Sequence, residues 1–272
     1  MTTPILILII IIVILSFVVP ILVIFLINRK HKLRLWVKIV IPVSVILIVN
    51  LSGFLIYFNI YYHATNEVNE YLKDDSEVIV KNTNEYYLFD NKANNDKALI
   101  FYGGAKVEEK SYAPMLNKIA HQGIDVFLAK MPSKFALFDS QKADAIYKKN
   151  NQYTNVYLMG HSLGGVCASM NLSKTNLDYK GIIFLASYPD KKLDDKYTAL
   201  SIYGSNDKVL NLKEYNKHTS NFPSGYQTKI IEGANHANYG YYGAQKADGK
   251  ADITREQQID ITVGYITSFL NH

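Results

Sequence analysis

The first 60 residues of this 272-residue chain contain no aspartate and no glutamate. They carry five basic side chains, Arg29, Lys30, Lys32, Arg34 and Lys38, all between positions 29 and 38. The formal net charge of +5 belongs to that one stretch, and the other 24 basic side chains are balanced by 24 acidic ones. A balanced remainder has no basic field to attract a phosphate backbone, so no nucleic-acid partner is expected. Cysteine is nearly absent as well. Cys167 stands alone, which excludes an intrachain disulfide framework and any cysteine pair for zinc. There is no His-Glu-x-x-His and no carboxylate cluster with ligand spacing, and Gly103-Gly104 is too sparse for a dinucleotide or phosphate loop. Neither a metal nor a cofactor is expected.

What the sequence has in quantity is uncharged apolar length. Residues 5–27 form an unbroken run that, as a helix, reaches about 34 Å at ~1.5 Å per residue, against a hydrocarbon core of ~30 Å. Residues 39–60 form a second run, interrupted by Pro42, Asn50 and Gly53 but never by a charge. With the basic loop 28–38 between them, they predict a transmembrane hairpin over residues 1–61. A cleaved signal peptide is the competing reading of the first run, but Met1-Thr2-Thr3 lacks a positive start and the run exceeds the ~7 to 15 apolar residues of such signals. A buried or re-entrant helix competes for the second because Asn50, Ser52 and Asn59 are polar. Tyr57, Tyr61 and Tyr62 fall instead where an interfacial aromatic belt belongs. Short Lys/Arg-rich loops stay cytoplasmic, so the expectation is a two-span protein of the cell membrane with both ends, and the bulk of the chain, extracytoplasmic.

Beyond a polar stalk at 62–76, short β-branched or aromatic runs recur at 77–81, 85–90, 98–102, 125–129, 155–159, 180–185, 199–203 and 228–231. Helical patterns fill the later gaps at 108–121, 135–149, 163–173 and, more weakly, 211–219. A last helix at 254–270 opens on Thr254 and Gln257, a capping-box pair. This alternation predicts an α/β domain over 77–272: a mainly parallel eight-stranded sheet with helices on both faces and an antiparallel pair at one edge.

The chemistry is concentrated where the 155–159 strand runs through Gly160-His161-Ser162-Leu163-Gly164-Gly165 into a helix. Gly-x-Ser-x-Gly is weak alone, and a serine that merely caps the helix is its bland reading; the strand before and helix after it make a nucleophile elbow, in which a Cβ at Gly160 or Gly164 would strike backbone. A serine nucleophile needs a base, and the base an acid to orient it. Asp207, in Gly204-Ser205-Asn206-Asp207 after the 199–203 strand, and His236, in Gly233-Ala234-Asn235-His236 after 228–231, follow in the order Ser, Asp, His. Asp190, Asp194 and Asp195 read as a solvated loop, and His121 and His218 as helix caps. His31 lies in the basic loop and His63 in the stalk, while His161 is expected to line the pocket or pack beside the nucleophile rather than titrate in catalysis. The oxyanion hole requires two backbone amides: that of Leu163 and one from the loop after 98–102, where Ala105 is the choice and Lys106 the alternative.

On Phe101-Tyr102-Gly103-Gly104, the elbow, the Asp207 loop, and Gly233 through Gly240 with Tyr241-Tyr242-Gly243-Ala244-Gln245, the chain resembles the alpha/beta hydrolase superfamily, and within it the fold-5 branch related to dienelactone hydrolases. The resemblance covers roughly residues 77–270 and departs at Gly103-Gly104, where His-Gly or Pro-Gly is usual. It implies a serine hydrolase without a cofactor. The expectation is a membrane-anchored carboxylic-ester hydrolase acting on a small ester or acyl substrate, with the lipid bilayer as its other partner. An acyltransferase or peptidase with the same triad, and a noncatalytic membrane-tethered binding domain, are the alternatives. Residues 186–198 are short and hold six charged side chains, which predicts no apolar cap. Within 238–252, Tyr239, Tyr241 and Tyr242 either flank the pocket or face solvent; in the first case, trimming them alters substrate preference more than stability.

Overall fold

The computed structural model describes residues 3–93 and 95–271. It separates into two compact units, residues 1–60 and 61–272; positions 1, 2, 94 and 272 lie outside the described residues.

The first unit is two helices, α1 (Thr3–His31) and α2 (Leu35–Asn59), both long and apolar enough to cross a membrane. Neither has a polar face to set against a core, and large side chains such as Ile21 (57% exposed) and Leu47 (64%) stand open. Two of the polar side chains in these runs, Ser16 and Asn50, bond each other between the helices, and each also bonds a carbonyl of its own helix. Asn50 Nδ2 donates to Ser16 Oγ at 3.1 Å and to the Ile46 carbonyl at 2.8 Å, and the Ser16 hydroxyl donates to the Val13 carbonyl at 2.7 Å. Arg29 and Lys30 lie in the last turn of α1, where cations complement the helix dipole.

The second unit holds eight strands: β1 (Val78–Asn82), β2 (Tyr86–Asn91), β3 (Lys97–Tyr102), β4 (Asp125–Ala129), β5 (Asn155–His161), β6 (Tyr179–Leu185), β7 (Thr198–Gly204) and β8 (Gln227–Ile231). They form one sheet in the order β1-β2-β4-β3-β5-β6-β7-β8. The expected antiparallel pair β1–β2 joins through a second antiparallel ladder, β2–β4, and from β4 to β8 every pairing is parallel. Along β3 the side chains alternate between two cores. Leu99 and Phe101 join Met115, Leu116 and Ile119 of α3 (Ala113–Ala120) and Ile259, Ile266 and Leu270 of α7 (Arg255–Leu270). Ala98, Ile100 and Tyr102 join Ala143 and Ile146 of α4 (Lys142–Lys149) and Cys167, Ala168 and Leu172 of α5 (Leu163–Leu172) on the other face. Cys167 serves as a small core side chain, and burial pushes its thiol up to about 12. The sixth helix, α6 (Leu212–Lys217), lies between β7 and β8. Parallel strands place all their carboxyl ends, and the loops that follow, on one edge.

Three expectations change. Residues 62–76 are not a stalk. Tyr62 N–H donates to Lys106 O at 2.7 Å and Glu108 N–H to Tyr62 O at 2.9 Å, Thr65 N–H donates to Tyr241 O at 2.8 Å, and a 3-10 helix (Asn66–Leu72) buries Val68 completely. Its polar composition conceals Val68, Tyr71 and Leu72 at helical spacing, which is enough to seat one turn on the core. The helix read at 108–121 begins as a 3-10 turn (Glu109–Tyr112) before α3, with Pro114 in the first turn, where its missing N–H costs nothing. The helix read at 135–149 breaks into a 3-10 turn (Ala136–Asp139) and α4. The capping box of α7 is formed as read: Gln257 N–H donates to Thr254 Oγ1 at 3.1 Å and Thr254 N–H to Gln257 Oε1 at 2.9 Å.

Candidate active site

Ser162 sits between β5 and α5 with φ 54° and ψ −128°, a left-handed backbone for a residue with a side chain. Such strain costs about 1–3 kcal/mol and persists only where the surroundings enforce it. Here Ser162 N–H donates to Leu185 O at 2.9 Å, and the Ser187 hydroxyl donates to Ser162 O at 2.7 Å. The glycines make the turn possible. A Cβ on Gly160 would lie 2.4 Å from Gly165 N, and one on Gly164 would lie 2.3 Å from Tyr102 O, both immovable backbone.

Asp207 follows β7 and is buried. Its Oδ1 accepts from Val209 N–H and Leu210 N–H, each at 2.8 Å, and its Oδ2 accepts from His236 Nδ1 at 2.8 Å. A carboxylate can only accept, so Nδ1 carries a proton, and Nε2 is the nitrogen left to act as the base in the neutral ring. That Nε2 is buried and has no partner: the structure joins His236 to Asp207 but forms no bond from Ser162 Oγ to His236. The elbow and the histidine loop are nevertheless side by side, the rings of His161 and His236 lying 4.5 Å apart. The segment after His236 clamps it. Ala237 N–H donates to Asp248 Oδ2 at 2.8 Å, and Asn235 exchanges two bonds with the buried Gln258 of α7, at 3.1 and 2.8 Å.

In the loop after β3 the amides are unequal. Gly104 N–H donates to Tyr112 Oη at 2.9 Å, and Lys106 N–H donates to Lys134 O at 2.8 Å. Among the described residues the Ala105 N–H makes no hydrogen bond, which favours Ala105 over Lys106 as a donor available to a ligand. Leu163 opens α5, where first-turn amides lack an intrahelical acceptor.

His161 is buried against Tyr112, Tyr239 and His236, as a residue packed beside the serine should be. Burial, reinforced by the neighbouring His236, drives its pKa well below the usual histidine value and keeps it neutral. His121 and His218 each donate from Nδ1 to a carbonyl one turn back, at 2.9 and 2.8 Å. The tyrosine reading is corrected. Tyr239, Tyr241 and Tyr242 are all buried, with their hydroxyls on Ile202 O, Glu256 Oε1 and Gln245 Oε1, because the 237–243 segment folds back onto α3 and α7. Shortening them opens the core rather than reshaping a rim. Leu137 (50% exposed) and Phe138 (49%), in the turn after β4, are exposed apolar side chains at positions where helical periodicity predicts a longer helix. Residues 186–197 form no helix, and Leu193 and Tyr197 tie them down. Tyr112, within the helical pattern at 108–121, carries no sequence signal of a polar role, yet its hydroxyl bonds both Gly104 and His161. Among the described residues no group of three or more His, Cys, Asp or Glu side chains could hold a metal ion.

A mainly parallel sheet with a strained serine at the β5–α5 turn, and an acid and a histidine on the loops after β7 and β8, defines the class of alpha/beta hydrolases. Residues 98–260 match the model of the Alpha/beta hydrolase family, and the chain belongs to that family. Solved structures share the fold. The Francisella virulence factor BioJ is 13% identical over 83% of this chain and 92% of its own, with a TM-score of 0.55. A soluble variant of monoglyceride lipase from Saccharomyces cerevisiae is 9% identical over 74% and 96%, at 0.53. Dienelactone hydrolase from Anabaena variabilis is 13% identical over 70% and 96%, at 0.50. No curated protein matched the sequence.

Proposed function

We propose that this alpha/beta hydrolase is a membrane-anchored carboxylic-ester hydrolase with Ser162 as nucleophile, His236 as general base and Asp207 as the acid that orients it. The observation that carries the reading is the buried Nε2 of His236, held in one tautomer by Asp207 and left without a partner beside the elbow. A buried acceptor with no donor costs ~1–3 kcal/mol, and a reacting hydroxyl is what would satisfy it. In the first half-reaction the Ser162 proton passes to His236 Nε2 as Oγ attacks the acyl carbon. The oxyanion that forms takes hydrogen bonds from Leu163 N–H and Ala105 N–H, and Asp207 stabilises the imidazolium. Collapse returns that proton to the departing alcohol and leaves an acyl-serine. Water, deprotonated by His236, attacks the acyl-serine; the acid leaves and Oγ recovers its proton.

The absence of a helical cap between β6 and β7 supports a shallow, open site for short or water-soluble acyl groups. The helices α1 and α2 anchor the chain in the cell membrane, their basic loop in the cytosol and the hydrolase domain outside. The deciding assay is kcat/KM for p-nitrophenyl esters across acyl lengths, in wild type and Ser162→Ala. Short esters should be preferred and Ser162→Ala inert. Equal turnover by Ser162→Ala refutes the nucleophile, and a steep rise toward long chains refutes the substrate class.

A further inference from the structure

The Gly103-Gly104 pair stands where the family resemblance leads one to expect a bulkier residue before the second glycine, and the structure shows what takes the space. The ring of Tyr112 lies against both glycines. A Cβ on Gly103 would be 3.0 Å from Tyr112 Cε2, and one on Gly104 would be 3.0 Å from both Tyr112 Oη and His161 Nδ1. Tyr112 is wholly buried, and its ring packs in a tilted arrangement against Phe101 of β3, with centroids 4.8 Å apart. Its single hydroxyl is committed on both sides. Oη accepts from Gly104 N–H at 2.9 Å and shares a second hydrogen bond with His161 Nδ1 at 2.9 Å. His161 immediately precedes Ser162, and Gly104 immediately precedes Ala105. A chain of two hydrogen bonds therefore connects the turn that carries the nucleophile to the loop that carries the second oxyanion amide. The adjoining backbone is fixed from the other side as well, since Tyr241 N–H donates to Ser111 O at 2.8 Å and a Cβ on Gly240 would sit 3.3 Å from Tyr112 Cδ1.

We propose that Tyr112 and His161 are positioning residues for the oxyanion hole: the Tyr112 hydroxyl, held by His161 Nδ1, fixes the Gly104 peptide and so aims the Ala105 N–H at the developing oxyanion. Neither side chain touches the acyl group. An amide that loses its orientation fails chiefly in the transition state, where charge on the carbonyl oxygen is largest, so the loss falls on kcat rather than KM.

The inference rests on Ser162 chemistry, and its test separates the two. Tyr112→Phe keeps the ring and deletes the hydroxyl; His161→Asn keeps an acceptor near the Nδ1 position, and His161→Leu removes it. Each full-length variant is assayed on a matched pair, an ester and its thionoester, whose sulfur is a poor hydrogen-bond acceptor and gains little from an oxyanion hole. Tyr112→Phe and His161→Leu should lower kcat for the ester by roughly 10- to 100-fold with KM within about twofold, and the preference for ester over thionoester should shrink by a similar factor. His161→Asn should recover most of that preference. A merely structural role would reduce both substrates in proportion. An unchanged ester-to-thionoester ratio in Tyr112→Phe, with thermal unfolding near wild type, overturns the inference while the nucleophile assignment stands. Turnover that survives in Ser162→Ala overturns the underlying reading instead. Should His161→Leu fail to fold, Tyr112→Phe carries the test alone.

Discussion

Two glycine-rich loops meet beside Ser162, and their glycines are required for different reasons. In the elbow, a Cβ on Gly160 or Gly164 would run into backbone at 2.4 and 2.3 Å, and no side-chain motion relieves that. In the loop after β3, a Cβ on Gly103 or Gly104 would press at 3.0 Å on the side chains of Tyr112 and His161, which would have to give by a few tenths of an ångström, a movement of side chains rather than of backbone. The first pair makes the fold of the turn possible; the second makes room for a particular tyrosine. Substitutions at the two loops should therefore fail in different ways.

The largest effect is expected at the elbow. Gly160→Ala should yield no correctly folded domain, because the strand–helix turn cannot close around the new methyl group; circular dichroism and thermal melting check this, and a stable, active variant would show that the elbow tolerates a side chain. Next is Asp207→Asn, which leaves the geometry but permits the wrong imidazole tautomer. A fall in kcat of about 10⁴, the size known for the corresponding change in a serine protease, is expected with melting little changed. Gly104→Ala sharpens the contrast with Gly160→Ala: a folded protein with kcat down roughly 10-fold, less than the ~10²–10³ lost when an oxyanion donor is removed outright. The smallest effect concerns pH. Folded His161 stays neutral, whereas in the unfolded chain it takes up a proton near pH 6.5, so the unfolded state binds more protons and stability falls as the pH drops below about 6.5. His161→Asn should flatten that part of the stability–pH curve in denaturant titrations; an unaltered slope would show that another group causes it.

The same contrast explains what could be read from sequence. The elbow is a backbone constraint and leaves its glycines side by side in the chain, so Ser162 is legible. Asp207 and His236 are legible because parallel strands deliver successive loops to one edge in chain order. The eight strands followed from β-branched runs between turn signals. The Tyr112–His161 bond was not legible: it joins residues 49 positions apart, and nothing in the helical pattern around Tyr112 distinguishes a polar role from a packed one. Residues 62–76 and the tyrosines at 239, 241 and 242 were misread for a related reason. Local polarity suggested exposure, while distant partners on α3, α7 and the β3 loop bury these segments.

The central claim, that Ser162 is a nucleophile activated by the His236–Asp207 pair, is tested most directly by reacting the protein with a fluorophosphonate and mapping the adduct by mass spectrometry. One covalent adduct is expected on the peptide containing Ser162, absent in Ser162→Ala and formed far more slowly in Asp207→Asn. Folded wild-type protein that takes up no phosphonate, or carries it on another residue, would contradict that claim.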